Sequence, residues 1–198
     1  SHKNLQVIQY DVKTAFLNGN LDEEIYMKIP PGFNKQMPEN KVLRLHKSIY
    51  GLKQAAYVWN KTLHEAMINV GFKQSENDNC LYTLKENENV IYAIVHVDDL
   101  LFATSDVNLL ERKSDMLNQS FTLKSLGPVK NYLSIEVSRN SKGHFEISQT
   151  KYIEKIATKY QLQDCKGSKY PIDPGYHNLS DEQYLDTNTE YREIIGKL

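Results

Sequence analysis

The sequence predicts an α+β fold in which helices pack on one face of an antiparallel sheet. Apolar runs of strand length alternate with stretches of helical periodicity, in the order strand, helix, strand, strand, helix. Residues 90–103 form an apolar run that carries two adjacent carboxylates, Asp98 and Asp99, near its middle. Such a run fits two strands joined by a tight turn. Together these observations predict the ferredoxin-like α+β plan.

The first half of the chain supplies a strand, a hairpin and a helix. Residues 5–10 have the pattern of a strand, and Asp11 follows at its carboxyl end. Residues 23–29 and 41–45 predict a hairpin across a polar loop. A glycine-containing turn then opens a helix that Gly71 caps at its end. The apolar positions of this helix recur at spacings of three and four: Ala56, Trp59, Leu63, Met67 and Val70.

The second half begins with a predicted three-stranded meander over residues 81–84, 90–95 and 100–103. Ser105 or Asp106 is then expected to cap the second helix. The apolar positions of that helix are Leu109, Leu110, Met116 and Leu117.

A further hairpin and helix follow. Residues 132–137 and 144–148 predict the hairpin, and Thr150 is expected to cap a helix with an apolar side. Residues 165–188 are predicted to be loop, and the chain stops inside a helical pattern. The chain length allows one core, or a domain with an appended piece.

Composition limits the function classes. With 198 residues, 40% of them hydrophobic, the chain can bury one core of normal size. Its formal net charge of -1 supplies no general attraction for a polyanion, so nucleic-acid binding would need a local basic patch. Cys80 and Cys165 lack metal-ligand spacing and predict reduced thiols in an intracellular protein, with one disulfide left open. The start of the chain has no signal-peptide pattern, and we expect a segment of a longer polypeptide.

The paired carboxylates in an apolar run call for a partner. Burying one unpaired carboxylate costs several kcal/mol, on the order of the net stability of a domain. A divalent cation is the obvious partner. The alternative is that Asp98 and Asp99 are solvated residues that only help to form a turn. On the predicted sheet Asp11 ends a strand beside their turn, unless it serves only as a helix N-cap. Three converging carboxylates predict a magnesium site of the kind used in phosphoryl transfer.

Sequence motifs along most of the chain indicate a family. The motifs are DVKTAFLNG at residues 11–19, IYM at 25–27 with PPGF at 30–33, YGLKQA at 50–55 with Trp59, VDD at 97–99, LG at 126–127 and LSIE at 133–136. In these motifs and their order the chain resembles the palm of reverse transcriptases from copia-type (Ty1/copia) LTR retrotransposons. The resemblance implies an RNA-directed DNA polymerase that also copies DNA, and that acts by two-metal nucleotidyl transfer.

The resemblance also implies roles for particular residues. Asp11, Asp98 and Asp99 would be the catalytic, metal-binding triad for two Mg²⁺ ions, with Mn²⁺ as a substitute. The nucleotide-binding residues would be Phe16, the steric gate against ribonucleotides, with Tyr50, Gly51 and Lys53. Independently of the resemblance, the start of the helix favours a phosphate and Lys53 adds charge there, although Lys53 as a solvated lysine is an equal alternative.

Nucleic-acid contacts are expected in the last third of the chain. The hairpin over residues 132–147 would support the primer end, and the helix after Thr150 would begin the thumb. A basic excess that includes Lys142, Lys151 and Lys155 would hold the template and primer. On this reading residues 1–148 are palm with part of the fingers, and residues 149–198 start a thumb or connection.

The implied partners are an RNA or DNA template with its primer, dNTPs, and the integrase and RNase H of the same Pol polyprotein. No membrane partner is expected, because the apolar run is short and carries an acidic pair. By resemblance the protein would act inside the cell, in a cytoplasmic virus-like particle. Without fingers and RNase H, this segment alone is expected to be inactive or weakly active.

Three positions depart from the usual motifs of the family. His96 stands where tyrosine is usual, Ala56 where proline is usual, and Ser134 where glycine is usual. One alternative function is therefore a catalytically silent retrotransposon remnant. Another is a ferredoxin-like module that binds single-stranded RNA, which would need a motif of stacking aromatic residues on the sheet. The sequence contains no such motif, and acidic residues at the strand ends would repel a phosphate backbone.

Overall fold

The computed structural model describes residues 3–33, 41–170 and 189–197, which fall into two compact units. The first unit comprises Ser1–Val129 and Arg139–Phe145, and the second comprises Lys130–Ser138 and Glu146–Leu198. The predicted polar loop over residues 34–40 and most of the predicted loop over residues 165–188 lie outside the described residues. The predicted domains stay a prediction.

Within the described residues, the first unit has eight strands and two α-helices. Its main sheet has the strand order β4-β5-β6-β7-β1-β8, and a separate pair is formed by β2 and β3. Every described pairing in these sheets is antiparallel. The elements are β1 (Gln6–Val12), β2 (Asn20–Lys28), β3 (Val42–Lys47), α1 (Ala55–Val70), β4 (Lys73–Gln74), β5 (Leu81–Glu86), β6 (Asn89–His96), β7 (Asp99–Thr104), α2 (Val107–Leu117) and β8 (Leu123–Pro128).

The core of the first unit lies between α1, α2 and one face of the main sheet. Alternate residues of β1, β6 and β7 are buried, as expected for strands with one covered face. The large buried side chains include Trp59, Leu63, Met67, Tyr82, Ile91, Leu100, Phe102, Leu109, Leu110 and Leu117. The predicted combination of antiparallel sheet and packed helices is confirmed. The opposite face of the sheet stays uncovered by α1 and α2.

Local end signals of the helices are confirmed. Gly71 follows α1 with a φ of 103°, and its N–H group donates to carbonyl oxygens of the last turn. Of the two predicted caps for α2, Asp106 is the one used, because its carboxylate accepts a hydrogen bond from the Leu109 N–H. The meander is also confirmed, with a two-residue turn between β5 and β6 in place of the longer predicted loop.

Two features of the sheet differ from the prediction. Strand β1 extends to Val12, so Asp11 lies inside the strand and not after it. The extension follows from pairing on both sides, since β7 and β8 both continue past Tyr10. Strand β8 was not predicted because it is short, mostly exposed and interrupted by Gly127, so its pattern alone is weak.

In its described part, the second unit has a three-stranded sheet and two helices, although the hairpin tip at 139–145 groups with the first unit. Its elements are β9 (Asn131–Tyr132), β10 (Ile135–Arg139), β11 (Phe145–Ser148), α3 (Thr150–Lys159) and α4 (Thr189–Ile195). The predicted single strand over residues 132–137 is divided into β9 and β10. Leu133 and Ser134 cause the division, because both have positive φ angles, 50° and 67°.

One prediction for α3 was wrong. Thr150 is the first residue of the helix and not its cap, and the side chain of the preceding Gln149 makes no capping hydrogen bond. No residue of α3 is fully buried, and Ile153 on its apolar side is 62% exposed. No helix in the described part of the chain has both the length and the apolar character needed to cross a membrane.

Candidate active site

Asp11 and Asp99 lie directly opposite each other on the neighbouring strands β1 and β7. Opposed residues of an antiparallel pair project from the same face, with Cβ atoms roughly 4.5–5.5 Å apart. Both aspartates alternate with the buried core residues Tyr10 and Leu100. The two carboxylates therefore share the face of the sheet that α1 and α2 do not cover, and both are half-buried.

Asp98 belongs to the two-residue turn that joins β6 to β7. His96 and Asp99 are the paired strand residues on either side of this turn, which leaves Val97 and Asp98 at its tip. Val97 has a φ of 56°, which is rare for a β-branched residue. The Asp98 carbonyl accepts a 2.8 Å hydrogen bond from the Val12 N–H, so the turn is joined to β1 beside Asp11. The predicted tight turn is confirmed.

Two further side chains stand next to the carboxylates. The Gln9 amide donates a 3.1 Å hydrogen bond from Nε2 to Oδ1 of Asp99. On the other side of β1, Lys124 of β8 is the cross-strand partner of Asp11. The open face thus carries a row of Asp99, Asp11 and Lys124 over three adjacent strands, and in that row a cation flanks the carboxylate pair.

The carboxylates suit a hard cation. None of the ion pairs within the described residues involves Asp11, Asp98 or Asp99, so no Lys, Arg or His side chain there forms an ion pair with these carboxylates. Across the described ranges, no three His, Cys, Asp or Glu side chains are gathered into a ready-made metal site. Magnesium commonly takes only one or two carboxylates and completes its octahedron with water and substrate phosphates. The opposed pair therefore fits a magnesium ion that binds together with a phosphate substrate.

Phe16 sits on a short 3-10 turn, Ala15–Asn18, that the surrounding motif residues hold in place. The Asn18 amide donates to the carbonyl oxygens of Lys13, Thr14 and Ala15 and so ties the turn together. Gly19 ends the turn against α1, and a Cβ on it would lie 2.5 Å from Cγ1 of Val58. The motif from residue 11 to residue 19 thus fixes Phe16 relative to β1 and α1.

The predicted nucleotide-binding residues are partly brought together. The Phe16 and Tyr50 rings meet edge to face, with centroids 4.7 Å apart and planes at 67°. Gly51 follows in a turn with a φ of 95°, a conformation that favours glycine. Lys53 is exposed and lies two residues before the start of α1, and no described contact joins it to Phe16 or Tyr50.

A cavity of about 230 Å³ lies between α1 and the end of β6, behind the turn that carries Asp98. Its walls include Phe16, Trp59 and Val97. His96 and Ala56 also line it, and at both positions the usual family residue is larger. These two departures from the family motifs therefore affect the same space, next to the turn that carries Asp98.

The predicted template and primer residues lie on a hairpin and on a helix. Lys142 is exposed in the turn between β10 and β11, and Lys151 and Lys155 are one helical turn apart on α3. Lys151 already forms an ion pair with Glu136, with Nζ and Oε1 2.6 Å apart. Hydrogen bonds from the Lys151 side chain and N–H lower the pKa of Glu136. The Glu136 carboxylate therefore competes with a phosphate for the Lys151 ammonium group.

Comparison with known proteins identifies the family. The chain belongs to the reverse transcriptase (RNA-dependent DNA polymerase) family, which matches residues 1–174. This match confirms the resemblance inferred from the motifs, and the related proteins are those of Ty5 and copia-type retrotransposons.

Three curated relatives illustrate the match. The chain is 34% identical over 191 residues to the putative transposon Ty5-1 protein of Saccharomyces cerevisiae, covering 95% of this chain and 61% of that protein. It is 35% identical to the retrovirus-related Pol polyprotein from transposon RE1 of Arabidopsis thaliana, covering 96% of this chain and 13% of the polyprotein. It is 36% identical to the retrovirus-related Pol polyprotein from transposon TNT 1-94 of Nicotiana tabacum, covering 98% of this chain and 15% of the polyprotein. The chain therefore spans only part of each relative.

Sequence reasoning missed three residues of this region. Lys124 was missed because β8 was not predicted. Gln9 offered a signal, since it is a polar residue two positions before Asp11 and so on the same strand face. Trp59 was predicted only as a core residue, but its indole Nε1 donates a 2.6 Å hydrogen bond to the Val97 carbonyl oxygen. A signal was available, because the N–H group of a buried indole usually needs a hydrogen-bond acceptor.

Proposed function

We propose that this chain is the palm and the start of the thumb of an RNA-directed DNA polymerase that copies a retrotransposon. The observation that carries the proposal is the opposition of Asp11 and Asp99 beside the Asp98 turn, in a chain of the reverse transcriptase family. The main sheet with α1 and α2 would be the ferredoxin-like palm, and α3 would begin the thumb. The substrates are dNTPs and a primer on an RNA or DNA template.

In this proposal Asp11, Asp98 and Asp99 hold the divalent ions of the reaction. Bound Mg²⁺ would lower the pKa of the primer hydroxyl and stabilise negative charge on the leaving pyrophosphate. Each addition forms a bond from the primer 3′ oxygen to the α-phosphorus of a dNTP and breaks the bond to pyrophosphate, while the hydroxyl proton passes to solvent. Lys124, next to Asp11, would add positive charge close to the triphosphate.

Phe16 would lie under the sugar of the incoming nucleotide. Its ring is held by the tied turn on one side and by the edge of Tyr50 on the other, so it has little freedom to make room for a 2′-hydroxyl. Gly51 would let the backbone approach the nucleotide closely, and Lys53 would add charge for a phosphate. This arrangement supports selection of deoxyribonucleotides.

Lys142, Lys155 and Lys151, whose ammonium group is shared with Glu136, would contact the sugar-phosphate backbone of the template and primer. Such contacts position the duplex and depend strongly on salt. Other parts of the Pol polyprotein, including RNase H and integrase, would complete the process in a virus-like particle inside the cell.

Primer extension tests the proposal. Two proteins are compared: this chain alone, and a longer protein that joins it to the sequence encoded before and after it in its natural reading frame. Each is supplied with a DNA primer on an RNA template, Mg²⁺ and the four dNTPs. We expect extension that requires the divalent ion and is strongest in the longer protein. Asp98→Asn should lower incorporation by at least about a thousandfold, because the amide cannot replace a charged oxygen ligand.

Asp78→Asn is the matched control, because Asp78 is an exposed residue that lies neither on β1 nor in the turn of Asp98 and Asp99. It should extend primers like the unchanged protein. If the longer protein folds but does not extend primers, the chain is a catalytically silent remnant and the polymerase proposal fails. If the longer protein binds single-stranded RNA tightly without extending any primer, the chain is an RNA-binding module.

A further inference from the structure

We propose that Trp59 is a positioning residue of the active site, whose indole N–H holds the strained turn that carries Asp98. This inference rests on the proposed polymerase function. It starts from the 2.6 Å hydrogen bond between Trp59 Nε1 on α1 and the Val97 carbonyl oxygen at the tip of the β6–β7 hairpin.

The turn needs an external restraint. Val97 has a φ of 56°, in the left-handed region where a β-branched side chain is unfavourable. Backbone in such a conformation persists only where the surrounding structure imposes it, and it is typical of functional sites. Without restraint the Val97 peptide would relax toward ordinary angles, and Asp98 and Asp99 would move with it.

Trp59 is a rigid donor. Its side chain is 2% exposed and meets the Phe121 ring edge to face, with centroids 5.3 Å apart. It sits in the apolar stripe of α1 with Leu63 and Met67, which are also buried. The indole N–H has only a donor role, and here its acceptor is a backbone carbonyl that side-chain mutation cannot remove.

Two consecutive carbonyl groups of the turn are held from two different elements. Trp59 of α1 binds the carbonyl of Val97, and the Val12 N–H of β1 binds the carbonyl of Asp98 at 2.8 Å. Because Val12 follows Asp11 directly, the second bond sets the turn relative to the first carboxylate. The first bond prevents the turn from rotating about the second, so the three carboxylates keep one arrangement.

Packing behind the turn gives little further support. The cavity of about 230 Å³ borders Trp59, His96 and Val97, so this side of the turn faces open space and not close-packed side chains. The hydrogen bond therefore restrains the turn with little help from side-chain packing. Water entering the cavity can satisfy the Val97 carbonyl if the indole N–H is lost, but a mobile water cannot fix its direction.

The competing explanation is that Trp59 only fills the core. The two roles separate when the N–H is removed and the ring is kept. Replacement of Trp59 by 3-benzothienylalanine puts sulfur in the position of the N–H group at nearly the same shape. Trp59→Phe also removes the N–H group and uses a natural amino acid, but it reduces the volume of the ring as well.

Single-nucleotide incorporation by the protein in its natural reading frame gives the first test. We expect the benzothienyl variant to lose about tenfold in kcat with KM for dNTP within about twofold, as fits loss of one hydrogen bond that orients reacting groups. Phe121→Leu is the control for packing. It loses the ring contact to Trp59 and retains the N–H, so it should lower thermal stability with kcat within about twofold of the unchanged protein.

A second test does not depend on activity. The chain contains one tryptophan, so its indole N–H gives a single signal in a ¹⁵N–¹H spectrum. We expect this proton to exchange with D₂O at least about a hundredfold more slowly than in a free indole, and Phe121→Leu to keep most of that protection. Exchange at the free-indole rate in the folded chain would overturn the inference.

The two tests also separate this inference from the proposed function. If the unchanged protein incorporates nucleotides and the benzothienyl variant matches its kcat, Trp59 is a core residue only and the polymerase stands. If the unchanged, folded protein incorporates nothing, the polymerase proposal fails, and the positioning role in catalysis fails with it, even where slow indole exchange shows that the turn is anchored.

Discussion

The rings of Phe16 and Tyr50 meet edge to face, with centroids 4.7 Å apart, although they come from two separate sequence motifs. Phe16 follows β1 on a tied 3-10 turn, while Tyr50 precedes the helix α1. Tyr50 is 55% exposed, so its ring stands at the surface with one edge on Phe16. Because of this contact, the proposed steric gate against ribonucleotides consists of two residues, Phe16 and Tyr50.

Replacing Phe16 with valine should relax sugar selection. The smaller side chain leaves room for a 2′-hydroxyl, so the ratio of rNTP to dNTP incorporation should rise by at least about tenfold. Tyr50→Leu should raise the same ratio by a smaller factor, because Phe16 then loses one of its supports. Single-nucleotide incorporation with matched rNTP and dNTP pairs measures both. Phe33→Val, at an exposed phenylalanine, is the control and should leave the ratio unchanged; an unchanged ratio in Phe16→Val would refute the gate.

Ser134→Gly should stabilise the second unit. Ser134 has a φ of 67° between β9 and β10, a conformation that costs a residue with a Cβ roughly 1–2 kcal/mol. Glycine avoids that strain and loses part of the gain through its more flexible unfolded chain, so we expect about 0.5 kcal/mol of net stabilisation. Urea unfolding measures the change.

Ser138→Gly supplies the contrast, because Ser138 is an exposed residue inside β10 with no positive φ. There glycine should destabilise by about 0.5–1 kcal/mol. Equal destabilisation by both substitutions would show that the Ser134 backbone is not strained.

Gly19→Ala should destabilise the first unit through overpacking. The new Cβ would lie 2.5 Å from Cγ1 of Val58, and helix α1 or the Phe16 turn would have to shift. Overpacking of this kind costs about 1–3 kcal/mol. Denaturant unfolding of Gly19→Ala, Val58→Ala and the double variant tests the contact, since the double variant should be more stable than the sum of the two single losses predicts. Gly167→Ala should be nearly neutral, because apart from its chain neighbours no described atom lies within 4 Å of the added Cβ.

Acid should weaken the contact between α3 and α4 in the second unit. Glu193 binds both Lys159 and Lys197, and these hydrogen bonds lower its pKa from 4.5 to about 2. Because the folded pKa is the lower one, the stabilisation is complete above pH 4.5 and is lost as the pH falls from 4.5 to 2. Carboxyl NMR of Glu193 measures its pKa directly. Lys159→Gln should move that pKa back toward 4.5, and an unchanged pKa would mean that the ion pair does not form in solution.

Local signals in the sequence were enough for much of the fold. Gly71 and Asp106 mark helix ends through the backbone groups that they satisfy, and those bonds involve only near neighbours. The meander was predictable because β5, β6 and β7 pair with their immediate sequence neighbours. The carboxylate turn was predictable because two adjacent aspartates in an apolar run need a break in the strand.

The remaining features depend on contacts that are distant in sequence. Strand β8 is defined by its pairing with β1, and only that pairing places Lys124 beside Asp11. The division between β9 and β10 requires positive φ at Leu133 and Ser134, which neither residue type signals. The acceptor of the Trp59 N–H is 38 residues away, so helical periodicity could place the ring in the core but could not identify its partner.

The most direct test of the account is the rate of single-nucleotide incorporation against Mg²⁺ concentration, measured on the protein in its natural reading frame. Asp11→Asn and Asp99→Asn alter the two opposed carboxylates, and Asp22→Asn alters an exposed aspartate of β2 as the control. We predict that Asp11→Asn loses at least about a thousandfold in rate, that Asp99→Asn loses rate and needs more Mg²⁺, and that Asp22→Asn matches the unchanged protein. An Asp11→Asn rate within tenfold of the unchanged protein, at the same Mg²⁺ requirement, would contradict the assignment of this carboxylate pair as the catalytic metal site.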